Sequence, residues 1–218
     1  MPKAGAMGGA VARQNADEGE ASARRGPSQQ RSRERQERIL EAASALIATK
    51  GSDALRMSEI AGIVGISMGS LYQYFPDRRA IIKTLAERYN AASRICIREA
   101  FENVHDQASL RAAYLDLFDL YYAIVLAEPV MRDIWSGMQA DKQLMAVQLA
   151  ESRLMGAELA DAMKRVHHDA DGMAIDVSAF LIWEMGEAAV RLAIGLERTA
   201  GDAVIEAFKR ITVREVAP

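Results

Sequence analysis

The stretch MSEIAGIVGISMGSLYQYFPDRR, residues 57–79, restricts the fold of this chain most strongly, because its breaks allow only short helices. Gly65 interrupts the first apolar pattern after about two turns, and Pro76 disfavours helical geometry in the residue before it. Ser67 and Asp77 stand where their side chains can cap the helices that follow each break. The sequence therefore predicts two short helices joined by a tight turn, with a further helix directly after Asp77.

A longer helix is predicted before this stretch. In the run RERQERILEAASALIATKG, apolar residues recur at helical spacing between a cap near Ser32 and a glycine stop at Gly51. A long helix followed by two short ones is the arrangement of a helix-turn-helix, which places its second short helix in the DNA major groove. The expected core of this unit consists of Ile39, Leu46, Ile47, Ile60, Val64, Ile66, Leu71 and Phe75.

The side chains left outside this core are polar and almost uncharged. Hydroxyl and amide groups can bond phosphates or base edges without the desolvation cost of a charge, and a glycine allows the backbone to approach the duplex. The alternative interpretation is that the tyrosines only pack, with their hydroxyls in water. The candidates are Met68, Gly69, Ser70, Tyr72, Gln73 and Tyr74, with Arg78 and Arg79 beside them for a phosphate strand.

Composition favours a cytoplasmic, almost wholly helical protein. Half of the 218 residues are hydrophobic, five are proline, and one is cysteine, so no disulfide framework is possible within the chain. Residues 1–40 carry eight Lys or Arg against five acids, whereas the rest carries 19 against 25, which suggests a local contact with a polyanion. No stretch resembles a signal peptide or the roughly 20 apolar residues of a membrane span, so no membrane contact is expected.

Residues 1–31 are predicted to form a disordered basic arm. They are rich in Gly, Ala, Ser, Gln and charge, and without apolar periodicity they cannot bury enough surface to offset chain entropy. Residues 1–23 are interpreted as a solvated tail. Arg31, Arg33 and Arg35 lie at the start of the first helix, where they are interpreted as phosphate contacts.

The remaining sequence predicts longer amphipathic helices, so the expected fold is all-α. A helix-turn-helix domain at 32–79 would be followed by a helical ligand-binding and dimerisation domain at 80–218. The expected helices of the second domain run from Arg78 to about residue 103 and over 109–127, 129–140, 141–166, 173–197 and 202–216.

Residues 33–79 resemble the DNA-binding domain of the tetracycline-repressor (TetR) family. The likeness rests on the long first helix, the IA of the second, the VGIS turn and the run GSLYQYFPDR, which is similar to the family's Leu-Tyr-x-Tyr-Phe-Pro-x-Lys. The resemblance implies a homodimeric regulator, most simply a repressor, that binds a palindromic operator in double-stranded DNA and is released by a small molecule. It implies no cofactor and no enzymatic activity.

The same resemblance assigns DNA contacts residue by residue. It places contacts to the groove or to phosphates at Ser58, Ser67, Met68, Gly69, Ser70, Tyr72, Gln73, Tyr74 and Arg78. Arg56 is a departure, because the family usually has a capping Thr at that position. The second helix is then expected to lack this cap unless Ser58 supplies one, and Arg56 could instead reach a phosphate.

Aromatic and methionine side chains are concentrated in the middle of the chain. Such side chains suit an adaptable, mostly apolar ligand pocket, and the alternative is that they form ordinary core. The candidate ligand-binding residues are Tyr114, Phe118, Tyr121, Tyr122, Val125, Met131, Trp135, Met138 and Trp183.

The last two helices are apolar on more than one face, which predicts that one face meets a second subunit. Small residues there would allow close helix approach. The candidate interface residues are Phe180, Trp183, Gly186, Ala189, Ala193, Val204 and Phe208.

An enzyme is the main alternative, because the segment VHHDAD could bind a metal or move protons. The cluster consists of His167, His168, Asp169 and Asp171. Adjacent histidines point to different sides of a helix, so a polar interhelix turn explains the cluster and no metal site is predicted. Cys96 is expected to be a buried, inert thiol. A helical dimerisation module without DNA binding is a second alternative, which would require the face at 65–79 to be structural.

Overall fold

A computed structural model describes residues 8–139 and 141–218, and within these ranges the chain forms nine α-helices and no strand. The all-α prediction is confirmed. The helices are α1 Gly8–Lys50, α2 Met57–Val64, α3 Met68–Tyr74, α4 Arg78–Phe101, α5 Gln107–Ala127, α6 Pro129–Gln139, α7 Lys142–Val166, α8 Gly172–Ile194 and α9 Arg198–Val216.

The first helix starts earlier than the sequence predicts. Order was expected near Ser32 after a disordered arm over residues 1–31, whereas α1 begins at Gly8. The prediction considered only burial, but an α-helix bonds its backbone internally, and the arm is rich in the strong helix formers Ala, Arg, Glu and Gln. Residues 1–7, the start of the predicted arm, lie outside the described residues.

The predicted breaks between the short helices are confirmed, and each rests on a local hydrogen bond. Gly65 adopts a left-handed φ of 72°, and its N–H donates to the carbonyl of Ala61. Ser67 Oγ accepts a hydrogen bond from the N–H of Ser70 at 3.1 Å. The carboxylate of Asp77 caps α4 in the same way. No side chain caps α2, as expected from Arg56 at the position where the family usually has a capping Thr.

One hydrophobic core lies under α1 to α4. Most of its predicted members are buried, and Leu46 and Ile66 pack at its edge. This core, which we call the head core, also contains residues from later in the chain. These are Val130, Ile134 and Met138 of α6 and Leu144 of α7. The head core therefore extends beyond the boundary at residue 79 that the sequence predicts for the DNA-binding domain.

A second core, the body core, lies among α5, α7, α8 and α9. The rings of Phe118 and Phe208 stack at a centroid distance of 4.7 Å. Gly186 lies against Phe118 so closely that a Cβ atom there would approach the ring to 2.8 Å. Lys209 of α9 pairs with Asp119 of α5 at 2.7 Å. These contacts hold α8 and α9 against α5.

Helices α4 and α6 join the two cores, and an ion pair links the start of α4 to the start of α7. The N-terminal half of α4 belongs to the head core, and its C-terminal end, at Ile97 and Phe101, belongs to the body core. Arg79 at the start of α4 pairs with Asp141, which caps α7, at 2.6 Å. A second ion pair, between Arg88 of α4 and Glu37 of α1, lies within the head and forms two hydrogen bonds of 2.6 Å. Among the helices of the described ranges, none is both long and apolar enough to cross a membrane.

Candidate DNA-reading surface and effector cavity

The outer face of α3 carries exposed polar groups with few partners in the chain. Tyr72 is 49% exposed, and Ser67, Gly69 and Gln73 are also exposed. A Cβ atom at Gly69 would come no closer than 4.0 Å to another side chain, so packing within the chain does not require glycine there. These four residues form what we call the reading surface, and it can offer hydroxyl and amide groups to a duplex.

Three of the predicted DNA-contacting residues on α3 are only partly exposed. Met68 and Tyr74 pack against the head core, and Ser70 is half-buried. The hydroxyl of Tyr74 also accepts a hydrogen bond from Ser32 Oγ at 3.4 Å. Met68 and Tyr74 therefore pack α3 against the rest of the head, as the alternative interpretation of this helix holds.

The predicted phosphate-contacting side chains lie around this surface. Arg78 Nη1 donates to the carbonyl of Asp53 at 2.6 Å, which ties the loop before α2 to the start of α4. Arg79, also expected beside a phosphate strand, instead pairs with Asp141. The remaining candidates are all exposed, namely Arg31, Arg33, Arg35, Arg56 and Ser58.

A cavity of about 300 Å³ lies in the body, between α4, α5, α6 and α8. Four of the predicted ligand-binding residues line it, namely Tyr121, Met131, Trp135 and Trp183. The ring of Tyr121 lies 5.9 Å from that of Trp135 and 6.4 Å from that of Trp183, measured between centroids. Burial raises the pKa of Tyr121 well above its usual value, so this hydroxyl remains neutral.

The wall formed by α4 was missed by sequence reasoning. It contributes Tyr89, Asn90, Ser93, Cys96 and Ile97. The available signal was the recurrence of polar and aromatic residues on one side of a helix that links two domains. Cys96 was expected to be buried, and this was wrong, because it is exposed at the edge of the cavity.

Other predicted ligand-binding residues lie elsewhere. Tyr114 and Phe118 border a narrow gap of about 20 Å³ that shares Tyr121 and Trp183 with the cavity, and burial raises the pKa of Tyr114 to about 12. The other three candidates line neither the cavity nor the gap. The hydroxyl of Tyr122 donates to Asp202, Val125 belongs to the body core, and Met138 belongs to the head core.

Two polar side chains near the aromatic wall stand out because they are buried. Asn90 is 4% exposed, and its Nδ2 atom has no hydrogen-bond partner. Glu187 accepts a hydrogen bond from Trp183 Nε1 at 3.1 Å and others from Gln148 and Ser152. Burial, with the nearby charge of Glu184, raises the pKa of Glu187.

The predicted dimer-interface residues mostly face the chain's own core. Gly186, Ala193 and Phe208 are buried, and the other four are half-buried. The reason is that the small residues allow α8 to approach its neighbours within the chain, as Gly186 does with Phe118. A different set of apolar side chains is exposed on these helices, namely Met173, Val177, Leu181, Met185 and Leu192 of α8 and Ile211 of α9. We call this set the outer face.

The histidine cluster follows α7 as a polar turn. His167 Nε2 lies 2.8 Å from the carbonyl oxygen of Val216, which ties the turn to the end of α9. Within the described residues, no group of three or more His, Cys, Asp or Glu side chains could hold a metal ion. The cluster therefore has a structural explanation.

Two family models match the chain. The model of bacterial regulatory proteins of the tetR family matches residues 39–85, which contain α2 and α3. The model of the tetracyclin repressor-like C-terminal domain matches residues 108–218. A comparison with curated proteins finds no match.

Solved structures of similar fold include a TetR-family transcriptional regulator from Bordetella parapertussis, at 18% identity and a TM-score of 0.55, covering 83% of this chain and 93% of that one. RolR in complex with resorcinol has 19% identity and a TM-score of 0.58, covering 86% and 95%. Salmonella enterica GusR has 17% identity and a TM-score of 0.59, covering 84% and 93%. At these identities the likeness establishes the fold. The two family models show that the chain belongs to the tetR family of bacterial regulatory proteins.

Proposed function

We propose that this protein is a ligand-responsive transcriptional repressor that binds a palindromic operator as a homodimer in the cytoplasm. The observation that carries the proposal is the reading surface of α3, which is exposed, polar and uncharged, on a unit that matches the tetR-family model. The Ser67 cap and the filled core hold the surface in place, and neither uses the side chains of Tyr72 or Gln73. Those side chains are therefore free to contact DNA.

The reading surface supplies neutral groups, and its surroundings supply charge. Ser67, Tyr72 and Gln73 can bond base edges or phosphates at the start and outer side of α3. Arg78 uses one of its five N–H donors on Asp53, so the others can reach a phosphate. The exposed arginines of α1 and Arg56 add phosphate contacts, whose contribution falls as the salt concentration rises.

Helices α4 and α6 are the proposed connection between effector and operator. Trp135 and Met131 of α6 line the cavity, whereas Ile134 and Met138 of the same helix lie in the head core. A ligand that shifts α6 therefore also shifts side chains that pack against α1 and α4 in the head core. Because each subunit carries one head, such a shift changes the spacing of the two reading surfaces and releases the operator.

The outer face supports the homodimer. Along α8 it presents apolar residues mostly one helical turn apart, and Ile211 lies near Leu181 because Ser178 Oγ bonds Glu215 at 2.8 Å. Contiguous exposed apolar patches mark interaction sites in globular proteins. A two-fold axis through this face would place the heads on half-sites about 34–36 Å apart.

The operator proposal is tested with the promoter region of the protein's own gene. We expect a salt-sensitive complex in fluorescence anisotropy, and a loss of affinity of about 10- to 100-fold in Gln73→Ala, because each specific base contact contributes about 1–3 kcal/mol. The matched control is Gln107→Ala, at an exposed position on α5. Absence of a salt-sensitive complex, or equal affinities for Gln73→Ala and the control, would overturn DNA reading by this surface.

The dimer proposal is tested by sedimentation at micromolar concentration. A charge in the middle of the outer face, in Leu181→Glu, is expected to yield monomers because the carboxylate would be buried against the partner. Ile95→Glu is the matched control, since Ile95 is similarly exposed on α4. A wild-type monomer, or a Leu181→Glu dimer, would contradict this interface.

A further inference from the structure

We propose that the effector of the cavity is a small uncharged compound of one or two rings that carries a hydrogen-bond acceptor, and that Asn90 Nδ2 donates to this acceptor. The inference rests on the proposed function, in that the cavity is taken as the effector site. It adds the chemical class of the ligand and the residue that selects it.

The first observation is the unpartnered amide. Asn90 lies on α4, is 4% exposed and lines the cavity, and its Nδ2 atom is buried without an acceptor. A buried donor without a partner is costly, because it has lost its bonds to water and gained none in return. An acceptor atom of a bound ligand would satisfy it.

The second observation is the shape and chemistry of the opposite wall. The ring of Tyr121 lies 5.9 Å from that of Trp135 and 6.4 Å from that of Trp183 between centroids, and Met131 adds a flexible apolar side chain. Aromatic walls favour flat rings, which stack or meet them edge to face. The volume of about 300 Å³ lies at the lower end of the range for small-molecule sites, about 300–1,000 Å³, so one or two rings fit.

The third observation is charge. Of the residues described around the cavity, Glu128 alone is charged, and it is exposed at the edge. A ligand carboxylate would enter this apolar space without a cationic partner and close to Glu128, which is unfavourable. A ligand cation would leave the N–H groups of Asn90 facing a positive charge. An uncharged acceptor, such as a carbonyl oxygen, avoids both conflicts.

The experiment compares four probes that share one ring system. Titration calorimetry of the full chain is run with acetylnaphthalene, naphthalene, naphthoate and naphthylmethyl-trimethylammonium. We expect acetylnaphthalene to bind at least about 10-fold more tightly than each of the others, since each tenfold corresponds to about 1.4 kcal/mol. Tighter binding of the carboxylate or the ammonium compound, equal binding of naphthalene, or no binding of any probe would overturn the proposal.

The variant Asn90→Leu tests the residue itself. Replacing the amide by an apolar side chain of similar size should reduce the preference for acetylnaphthalene over naphthalene to less than about 3-fold, because no donor remains. Asn103→Leu, the same change at an exposed position outside the cavity, should retain the wild-type preference. A preference that survives in Asn90→Leu would overturn the role of Asn90. If Asn90→Leu does not fold, Asn90→Ala, which also lacks a donor, and the wild-type ranking provide the same decision.

The effector proposal and the regulator proposal fail in different ways. Operator binding of the same wild-type sample is measured by anisotropy without any probe. A wrong probe ranking with intact, salt-sensitive operator binding would overturn the ligand class and leave the regulator. Loss of operator binding in wild type would overturn the regulator.

Discussion

The head and the body of this protein differ in how far they are complete within one chain. In the head, apolar side chains of α1 to α4 meet each other, and the reading surface of α3 points outward. The body instead encloses a cavity of about 300 Å³, holds a buried amide without a partner and exposes apolar side chains along α8. The difference is that the body leaves apolar side chains and a cavity unfilled within the chain, whereas the head buries most of its apolar side chains and exposes polar ones on α3.

Helix α6 makes the contrast within a single element. Ile134 is 1% exposed in the head core, and its neighbour Trp135 lines the cavity. One helix therefore has a filled side and an open side. Variants of these two neighbours test the comparison most directly.

The largest expected effect is that of Ile134→Ala. Removing a fully buried side chain from the head core should lower the free energy of unfolding by about 2–5 kcal/mol, measured by urea denaturation. Trp135→Ala is the companion variant, and it should weaken acetylnaphthalene binding more than 10-fold by removing one cavity wall. Unchanged stability of Ile134→Ala, or unchanged probe affinity of Trp135→Ala, would remove the distinction between the two sides of α6.

A smaller effect, of opposite sign, is expected for Arg56→Thr. The start of α2 has no side-chain cap, so a threonine there should raise the free energy of unfolding by about 1 kcal/mol. If Arg56 contacts a phosphate, the same change should weaken operator binding and reduce its salt slope by about one. Arg132→Thr, at an exposed position on α6, serves as the control. A destabilised Arg56→Thr protein would show that this arginine stabilises the head.

The pair of Arg79 and Asp141 links the two regions, and its contribution should be smaller still. Because the arginine side chain is half exposed, a double-mutant cycle with Arg79→Gln and Asp141→Asn should yield a coupling of about 0.2–1 kcal/mol. Asparagine retains the capping oxygen of α7, so the cycle isolates the ion pair. A coupling well above this range would mean that the pair is a major connection between head and body.

The last test concerns the pH dependence of stability. Burial raises the folded-state pKa of Glu187 above its unfolded value, so the unfolded state ionises first as the pH rises. The free energy of unfolding should therefore fall between the unfolded pKa, near 4.5, and the raised folded value. Denaturation curves of Glu187→Gln at several pH values should lack this fall in the free energy of unfolding, because glutamine does not titrate. An identical pH dependence in the variant would contradict the raised pKa.

Local sequence signals predicted the head well. The turn at Gly65 and the caps at Ser67 and Asp77 depend on hydrogen bonds between residues three or four apart. Such bonds can be inferred from residue types and spacing alone. The missing cap at Arg56 was predicted from the resemblance to the TetR family, which usually has a capping Thr at that position. The start of α1 at Gly8 was not predicted, because the prediction for the arm rested on burial and not on helix propensity.

In the body, the burial or exposure of each predicted site residue depends on which side of its helix faces inward. Apolar periodicity placed α8 and α9 correctly, but both sides of α8 are apolar, so the sequence could not distinguish the face around Gly186 from that around Leu181. Trp135 lines the cavity whereas Met138 lies in the head core, although both belong to α6. Aromatic composition alone does not separate a pocket from a core.

The sequence by itself determined most of the helices, the caps at Ser67 and Asp77, the helix-turn-helix and the family, because these depend on residues close together in the chain. Only the tertiary structure decided that Arg79 pairs with Asp141, that Asn90 is left without an acceptor and that Cys96 is exposed. The ion pair joins residues far apart in sequence, and the burial of Asn90 and the exposure of Cys96 depend on which side of α4 the other helices cover. Packing also leaves the cavity between α4, α5, α6 and α8, since the aromatic side chains there do not fill the space between the helices.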